Sequence, residues 1–233
     1  SCDIYYYEAG KRMTDLVLAA EARRFHLDRA TGIELPKQQD RMIVPDRDWK
    51  ARERQEQGPW GVGDTYNTSI GQGFLLTTPL QMACFAASVA RNEVWTQPTL
   101  VHRPDAPRQK HPSIGLTPEQ RTALIEGMIG TVEYGTAGPM LGPRGPMRVS
   151  GVTIAGKTGT AQIPGKRNAG WFICFAPADD PQIAMAVMIE GDTAGETVGG
   201  GMFAAPIAAS VLKKYFEKKA GIGPLRVAPL KTE

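Results

Sequence analysis

The sequence has no run of about eighteen or more apolar residues, so no part of it reads as a membrane-spanning helix. Cysteine is scarce. Cys2, Cys84 and Cys174 are an odd number with no Cys-x-x-Cys pair, which argues against a disulfide framework and against a self-contained zinc site. An excess of one charge is also missing: 27 Lys and Arg stand against 24 Asp and Glu, a formal net charge of +3, and the two signs alternate through stretches such as residues 47–57. That pattern describes a solvated surface, and no nucleic-acid partner is expected from it. The three histidines, His26, His102 and His111, have no carboxylate or cysteine at ligand spacing. They are expected at the surface, and no Ser/His/Asp triad is implied. An initiator methionine and a basic-then-apolar leader are missing ahead of Ser1-Cys2-Asp3, so any targeting or anchoring segment is expected upstream of these residues.

What remains is ordinary globular material: 233 residues, 42% hydrophobic and 22% charged, enough to bury one core. Residues 4–27 are rich in Tyr, Ala, Leu and Arg and predict one or two helices, with Gly10 as the dividing point. Residues 32–73 carry Pro36, Pro45, Pro59 and scattered glycines and predict a long ordered loop region, a feature that tends to be functional. Two helix starts share one signature, Thr78-Pro79-Leu80-Gln81 and Thr117-Pro118-Glu119-Gln120: a threonine cap, proline at the first helical position and glutamine three residues after the cap. Apolar stripes follow each of them (Leu80, Ala83, Cys84, Ala87; Leu124, Ile125, Met128, Ile129, Val132) and predict core helices.

After a Gly/Pro-rich loop over residues 138–145, residues 149–155 predict a strand that ends in Gly156-Lys157-Thr158-Gly159-Thr160. Two further apolar runs, 171–176 and 183–189, flank Pro177-Ala178-Asp179-Asp180-Pro181 and predict a hairpin, its second strand buried on both faces. Trp171 and Phe172 are expected in the core. Residues 203–219 predict an amphipathic helix with a basic end, and 220–233 a tail. Helices, then strands, then a covering helix predict an α/β (α+β) fold in which helices sandwich a sheet.

The string Ala155-Gly156-Lys157-Thr158-Gly159-Thr160-Ala161-Gln162 carries the chemistry. A lysine ammonium and threonine hydroxyls on a strand with a free edge can hold a carboxylate, and that edge can pair with an extended peptide. The string resembles the Lys-Thr-Gly motif of penicillin-binding proteins and serine β-lactamases. Three further features extend the resemblance to most of residues 1–216: the Ala169-Gly170-Trp171-Phe172 strand, the run Gly63-Asp64-Thr65-Tyr66-Asn67-Thr68-Ser69-Ile70-Gly71-Gln72-Gly73, and Thr78-Pro79-Leu80-Gln81. In order and spacing these are similar to elongation-type class B penicillin-binding proteins.

The resemblance implies a β-lactamase/D,D-peptidase-like fold, an antiparallel sheet with helices on both faces, of which residues 1–219 are expected to be the C-terminal part, incomplete at its N-terminal side. It implies a serine-type peptidoglycan D,D-transpeptidase that cross-links stem peptides ending in D-Ala-D-Ala and binds β-lactams. The enzyme would be anchored in the inner membrane on its periplasmic side and work with a glycan polymerase and an elongation scaffold.

Ser1-Cys2-Asp3 resembles the family's second motif, Ser-x-Asn, with Asp3 in place of asparagine. A carboxylate can accept from a catalytic lysine but loses the amide's donor. The carried-over roles are proton relay for Ser1 beside Asp3, carboxylate anchoring for Lys157 with Thr158 and Thr160 as hydroxyl partners, Gly159 as part of the substrate-binding strand, and half of an oxyanion hole from the Thr160 N–H.

The first motif, Ser-x-x-K, is expected upstream of Ser1. Ser210-Val211-Leu212-Lys213 fits the letters but falls on the last helix and reads as coincidence. The chemistry needs no cofactor. Cys2 reads as a buried structural cysteine, with a zinc ligand as its other role, since some relatives hold zinc at this position.

Three rival readings remain. One is a β-lactamase or β-lactam sensor of the same fold, and another is a non-catalytic binding module. The third is a P-loop nucleotide hydrolase, because residues 151–158 satisfy Gly-x4-Gly-Lys-Thr. The β-forming Val152-Thr153-Ile154 and the Gly159, Pro164 and Gly165 that follow argue against the helix such a loop requires.

Overall fold

A computed structural model describes residues 2–35, 42–101, 109–162, 168–193, 196 and 198–221. Seven helices and three strands are described: α1 (Asp3–Arg24), α2 (Arg47–Glu53), α3 (Val62–Ser69), α4 (Pro79–Arg91), α5 (Pro118–Glu133), α6 (Gly138–Leu141), β1 (Ala155–Ala161), β2 (Ala169–Ala176), β3 (Ile183–Glu190) and α7 (Ala205–Gly221). A 3-10 turn (Gln55–Gln57) follows α2, and a π-helical turn (Gly200–Ala204) leads into α7.

The strands form one antiparallel sheet in the order β1-β2-β3. Strand periodicity sends alternate residues to opposite faces. Phe172, Cys174 and Ala176 pack with α6 and with Ala205, Ala208, Ala209 and Leu212 of α7, while Ala155 and Phe175 pack with Val89 and Ala90 of α4 and Met128 of α5. The sheet therefore lies between two helical layers, as the element order predicts.

Both threonine-capped helices form as the sequence predicts. Thr78 Oγ1 accepts from Gln81 N at 3.2 Å and the Gln81 side chain accepts from Thr78 N at 2.9 Å; Thr117 and Gln120 repeat the exchange. α4 ends on Asn92 in the left-handed region (φ 57°). The stripe on α5 is only partly core, because Leu124 is exposed.

Several expectations are corrected. Gly10 does not divide the first helix. The break is at Thr14 (φ 68°, ψ 165°), and Gly10 instead lets α1 close on α3, since a Cβ there would stand 2.5 Å from Ser69 Cβ. Tyr7 stacks on Tyr66 across the same contact, centroids 5.2 Å apart.

The stretch 32–73 is not a loop throughout, because α2 and α3 lie within it. Asp46 starts α2 by accepting from Trp49 N at 2.7 Å, and Gly61 N donates to Asp64 at 2.7 Å to start α3. Buried Lys50 joins the two helices, donating to Asp64 at 2.8 Å and to the Pro59 carbonyl at 3.1 Å.

The first strand begins at Ala155, where it was expected to end, so the Lys-Thr-Gly motif lies within it. β3 is not buried on both faces. It is an edge strand of this sheet with half-exposed residues, and β2 takes the central, buried place.

Two acid–base pairs fix α1 to the segment that opens α2. Arg23 donates to Asp46 at 2.6 Å, and Arg47 grips buried Asp15, its Nε at 2.9 Å and its Nη2 on the second oxygen. The Arg47 hydrogen bond holds the Asp15 carboxyl below its ordinary pKa, against the opposing effect of burial. Since the folded state depresses this pKa, the stabilisation is complete above the unfolded value, about 4, and is lost as pH falls through the folded one. Asp15→Asn is therefore expected to flatten the fall in melting temperature below about pH 4 relative to the parent. Equal slopes for the two proteins would refute the assignment.

Candidate active site

β1 runs along one side of the sheet with β2 on its inner edge and its outer edge unpaired by any described strand. The side chains of Lys157 and Ala161 share one face, with position 159, a glycine, between them, and those of Thr158 and Thr160 take the other. The structure thus puts the lysine and the two hydroxyls on opposite faces of one strand, where both flank its edge. Thr158 is buried, and its hydroxyl meets that of Thr136, from the turn after α5, at 2.5 Å. Thr160 is exposed. Gly156 is required beside the motif, because a Cβ there would stand 2.6 Å from the Phe172 ring.

Two adjoining cavities of about 1090 and 1280 Å³ share the wall formed by residues 157–160, Gln162, Ile173 and the turn Ile70 to Gly73. The first runs over Trp171 and Met188 to Glu190, the last residue of β3, and Asp192 just beyond it. The second is lined by apolar Phe25, Phe85, Val89, Leu124 and Met128 and by charged Asp3, Glu21, Arg24 and Lys157. Crowding by protein pushes the Lys157 pKa below the ordinary lysine range, and the Asp3 carboxylate draws it partly back. The Lys157 ammonium donates to the Thr158 carbonyl at 2.5 Å. Asp3 stands in the first turn of α1, where a carboxylate also suits the helix dipole. The fold therefore brings the first residues of the chain to a motif about 150 positions away. Ser1 lies outside the described residues.

The remaining site expectations divide. Cys2 is exposed rather than buried, and it precedes α1 without capping it through its side chain. Among the described residues no group of three His, Cys, Asp or Glu stands close enough to hold a metal ion, so Cys2 has no such set of co-ligands there. Phe172 is core as expected, whereas Trp171 is half-exposed and lines the first cavity. His26 is half-buried. Its ring sits 4.4 Å from that of Trp95, and burial lowers its pKa. His102 lies outside the described residues. Ser210 and Lys213 are on the exposed side of α7, with the Ser210 hydroxyl donating to the Pro206 carbonyl at 3.1 Å, and neither lines either of these two cavities. The phosphate-loop reading fails, because Lys157 stands inside a strand and no helix opens there.

Sequence reasoning assigned no role to Gln72 or Thr136. Gln72 has a legible signal in its two flanking glycines, both of which take positive φ here (77° and 75°). Thr136 has none, since only the fold puts it beside Thr158.

A family model described as penicillin binding protein transpeptidase domain matches residues 1–213. The chain is 34% identical over 219 residues to the peptidoglycan D,D-transpeptidase MrdA of Acinetobacter baumannii, covering 84% of this chain and 31% of that protein. It is 30% identical over 245 residues to MrdA of Haemophilus influenzae, covering 94% and 35%. Among solved structures, Pseudomonas aeruginosa PBP2 in complex with WCK 5153 superposes with a TM-score of 0.76 at 30% identity, over 98% of this chain and 48% of that one. The complex between PBP2 and MreC from Helicobacter pylori gives 0.72 at 29% identity, over 96% and 39%. The chain spans about a third of the length of these curated relatives.

Proposed function

The chain belongs to the penicillin-binding protein transpeptidase family, and from that premise we propose that the protein is a peptidoglycan D,D-transpeptidase of cell elongation. The observation that carries this reading is the outer edge of β1, which no described strand pairs, with Lys157 and Asp3 both lining a cavity of about 1280 Å³ beside it.

In this reading a serine supplied by upstream sequence attacks the penultimate D-Ala carbonyl of one stem peptide. The terminal D-Ala leaves with a proton, and a seryl ester remains. The amine of a second stem peptide then attacks the ester, forming the cross-link amide and returning the proton to the serine. Lys157 holds the donor's terminal carboxylate, with Thr158 and Thr160 as hydroxyl partners, and the Thr160 N–H supports the oxyanion. Ser1, beside Asp3, relays protons. The serine-bearing segment would rest its apolar side on Phe25, Phe85, Val89 and Met128 in the second cavity, which Asp3 and Lys157 also line.

Acyl transfer of this kind uses no cofactor, and any zinc at Cys2 would be structural. The reading also takes the enzyme to the outer side of the cytoplasmic membrane, held by an upstream anchor. No described helix is long and apolar enough to cross a membrane. The solved complex of Helicobacter pylori PBP2 with MreC supports a scaffold protein as partner, and a glycan polymerase is the other partner we propose.

The test is labelling of the full-length protein by a fluorescent penicillin, competed by unlabelled penicillin, followed by mass spectrometry of the adduct. A stoichiometric acyl-enzyme that persists for many minutes is expected. Rapid turnover would point to a β-lactamase, and absence of an adduct would refute the reading.

A further inference from the structure

We propose that Gln72 is a positioning residue for this acyl transfer: its carboxamide closes the free edge of β1 beyond Thr160, setting where an extended substrate must stop pairing and how the Thr160 N–H is presented. The proposal deepens the transpeptidase reading and rests on it.

In a strand the N–H and C=O of one residue point to one side, and those of its neighbours to the other. Thr158, Thr160 and Gln162 therefore turn their backbone groups to the same edge. On that edge Gln72 Nε2 donates to the Thr160 carbonyl at 3.2 Å, and Gln72 Oε1 accepts from Gln162 N at 3.3 Å. Both ends of one carboxamide are thus used on a carbonyl and an amide two residues apart, as the C=O and N–H of a neighbouring strand would use them. The first of these groups belongs to the residue whose N–H is the oxyanion donor in the proposed chemistry. With Thr160 O and Gln162 N occupied, the length of edge open to a substrate ends at Thr160.

A surface glutamine loses several rotors when fixed this way, so the loop must hold it in place. Gly71 and Gly73 flank it at φ 77° and 75°, a conformation that L side chains rarely adopt, and Gln72 N donates to the Asn67 carbonyl at 2.8 Å. The turn is the C-terminal end of α3, which packs on α1 through the Tyr7–Tyr66 stack and the Gly10–Ser69 contact. Gln72 therefore connects the element that carries Asp3 to the far end of the Lys-Thr-Gly strand. Two positive-φ glycines and a two-point bond to one strand edge exceed what a solvated loop residue needs.

The experiment uses the full-length protein with Gln72→Ala, Gln72→Met and Gln72→Glu. Methionine keeps the length and removes both bonds, while glutamate keeps the acceptor and turns a carboxylate toward the Thr160 carbonyl. Each variant is expected to acylate with penicillin about tenfold more slowly at saturating antibiotic, with the half-saturating concentration changed less. In Gln72→Ala and Gln72→Met, which lose the acceptor, the Gln162 amide is expected to exchange hydrogen about tenfold faster, with melting temperature within about 2 °C of the parent.

A Gln72→Met protein that acylates at the parental rate, or a Gln162 amide whose exchange does not change, would overturn the proposal. So would a rate loss matched by a fall in melting temperature, since that describes a merely structural residue. Failure of the parent itself to acylate would sink the transpeptidase reading instead, and amide exchange would then still decide whether Gln72 holds the edge.

Discussion

Lys157→Ala is expected to slow penicillin acylation of the full-length protein by about a hundredfold or more while moving its melting temperature by less than about 2 °C. The side chain stands on the exposed face of β1, so alanine removes little packing. What it removes is the cation that faces the cavity. A charge-assisted hydrogen bond to a carboxylate is about twice as strong as a neutral one, and in a partly enclosed cleft it also orients the ligand.

The same argument fixes a pH dependence. Crowding by protein lowers the Lys157 pKa, and the Asp3 carboxylate raises it. Only the protonated lysine holds a carboxylate, so acylation is expected to fall on the alkaline side at a pH below the ordinary lysine value of about 10.4. Asp3→Asn removes the opposing anion and should move that limb to still lower pH. A limb that stays in place or moves up in Asp3→Asn would mean that Lys157 does not report it.

Where the sequence and the structure diverge, local signals met a tertiary context they do not encode. The helices α4 and α5 were legible because their starts are local: threonine and glutamine exchange two hydrogen bonds across the first turn, and proline removes one unpaired donor. The start of α2 was not read, because Asp46 caps it without a reciprocal partner and nearby prolines and glycines favour a loop.

The strand at the motif was misplaced by several residues. Val152 and Ile154 carry high strand propensity, yet it is the Ala-Gly-Lys-Thr-Gly stretch that pairs with β2. Gly156 and Gly159 are poor strand formers by propensity; Gly156 is needed because the Phe172 ring lies directly against it. β3 was judged buried from its apolar run, but position in the sheet decides exposure and composition does not. Within the site, Lys157, Thr158 and Thr160 could be named from the sequence because their chemistry is local. Gln72 and Thr136 could not be given roles, since their partners are 88 and 22 residues away.

Gly200→Ala is expected to destabilise the protein by about 3 kcal/mol, a fall in melting temperature of roughly 6–12 °C for a domain of this size, and to slow acylation beyond what the unfolded fraction explains. A Cβ at Gly200 would stand 2.0 Å from the Trp171 carbonyl oxygen and 2.7 Å from that of Gly159. Both obstacles are backbone in a paired stretch of β1 and β2, so neither can rotate away. The neighbouring contacts are equally close: a Cβ at Gly201 would meet the Thr136 carbonyl at 2.0 Å, and one at Gly170 would meet the Val198 carbonyl at 2.7 Å.

Together these glycines seat the segment entering α7 against the backbone of the Lys-Thr-Gly strand and the turn that carries the hydroxyl partner of Thr158. Relief of the clash must push either that segment outward or Gly159 toward the cavity. The first route loosens α7 from the core and the second displaces the substrate edge. Gly199 is the internal control: a Cβ there meets nothing within 4 Å and its φ is −78°, so Gly199→Ala should stay within about 0.5 kcal/mol of the parent. Equal stability of the two alanine variants would show that the glycine run is tolerated for its flexibility and not required for its close approach to β1.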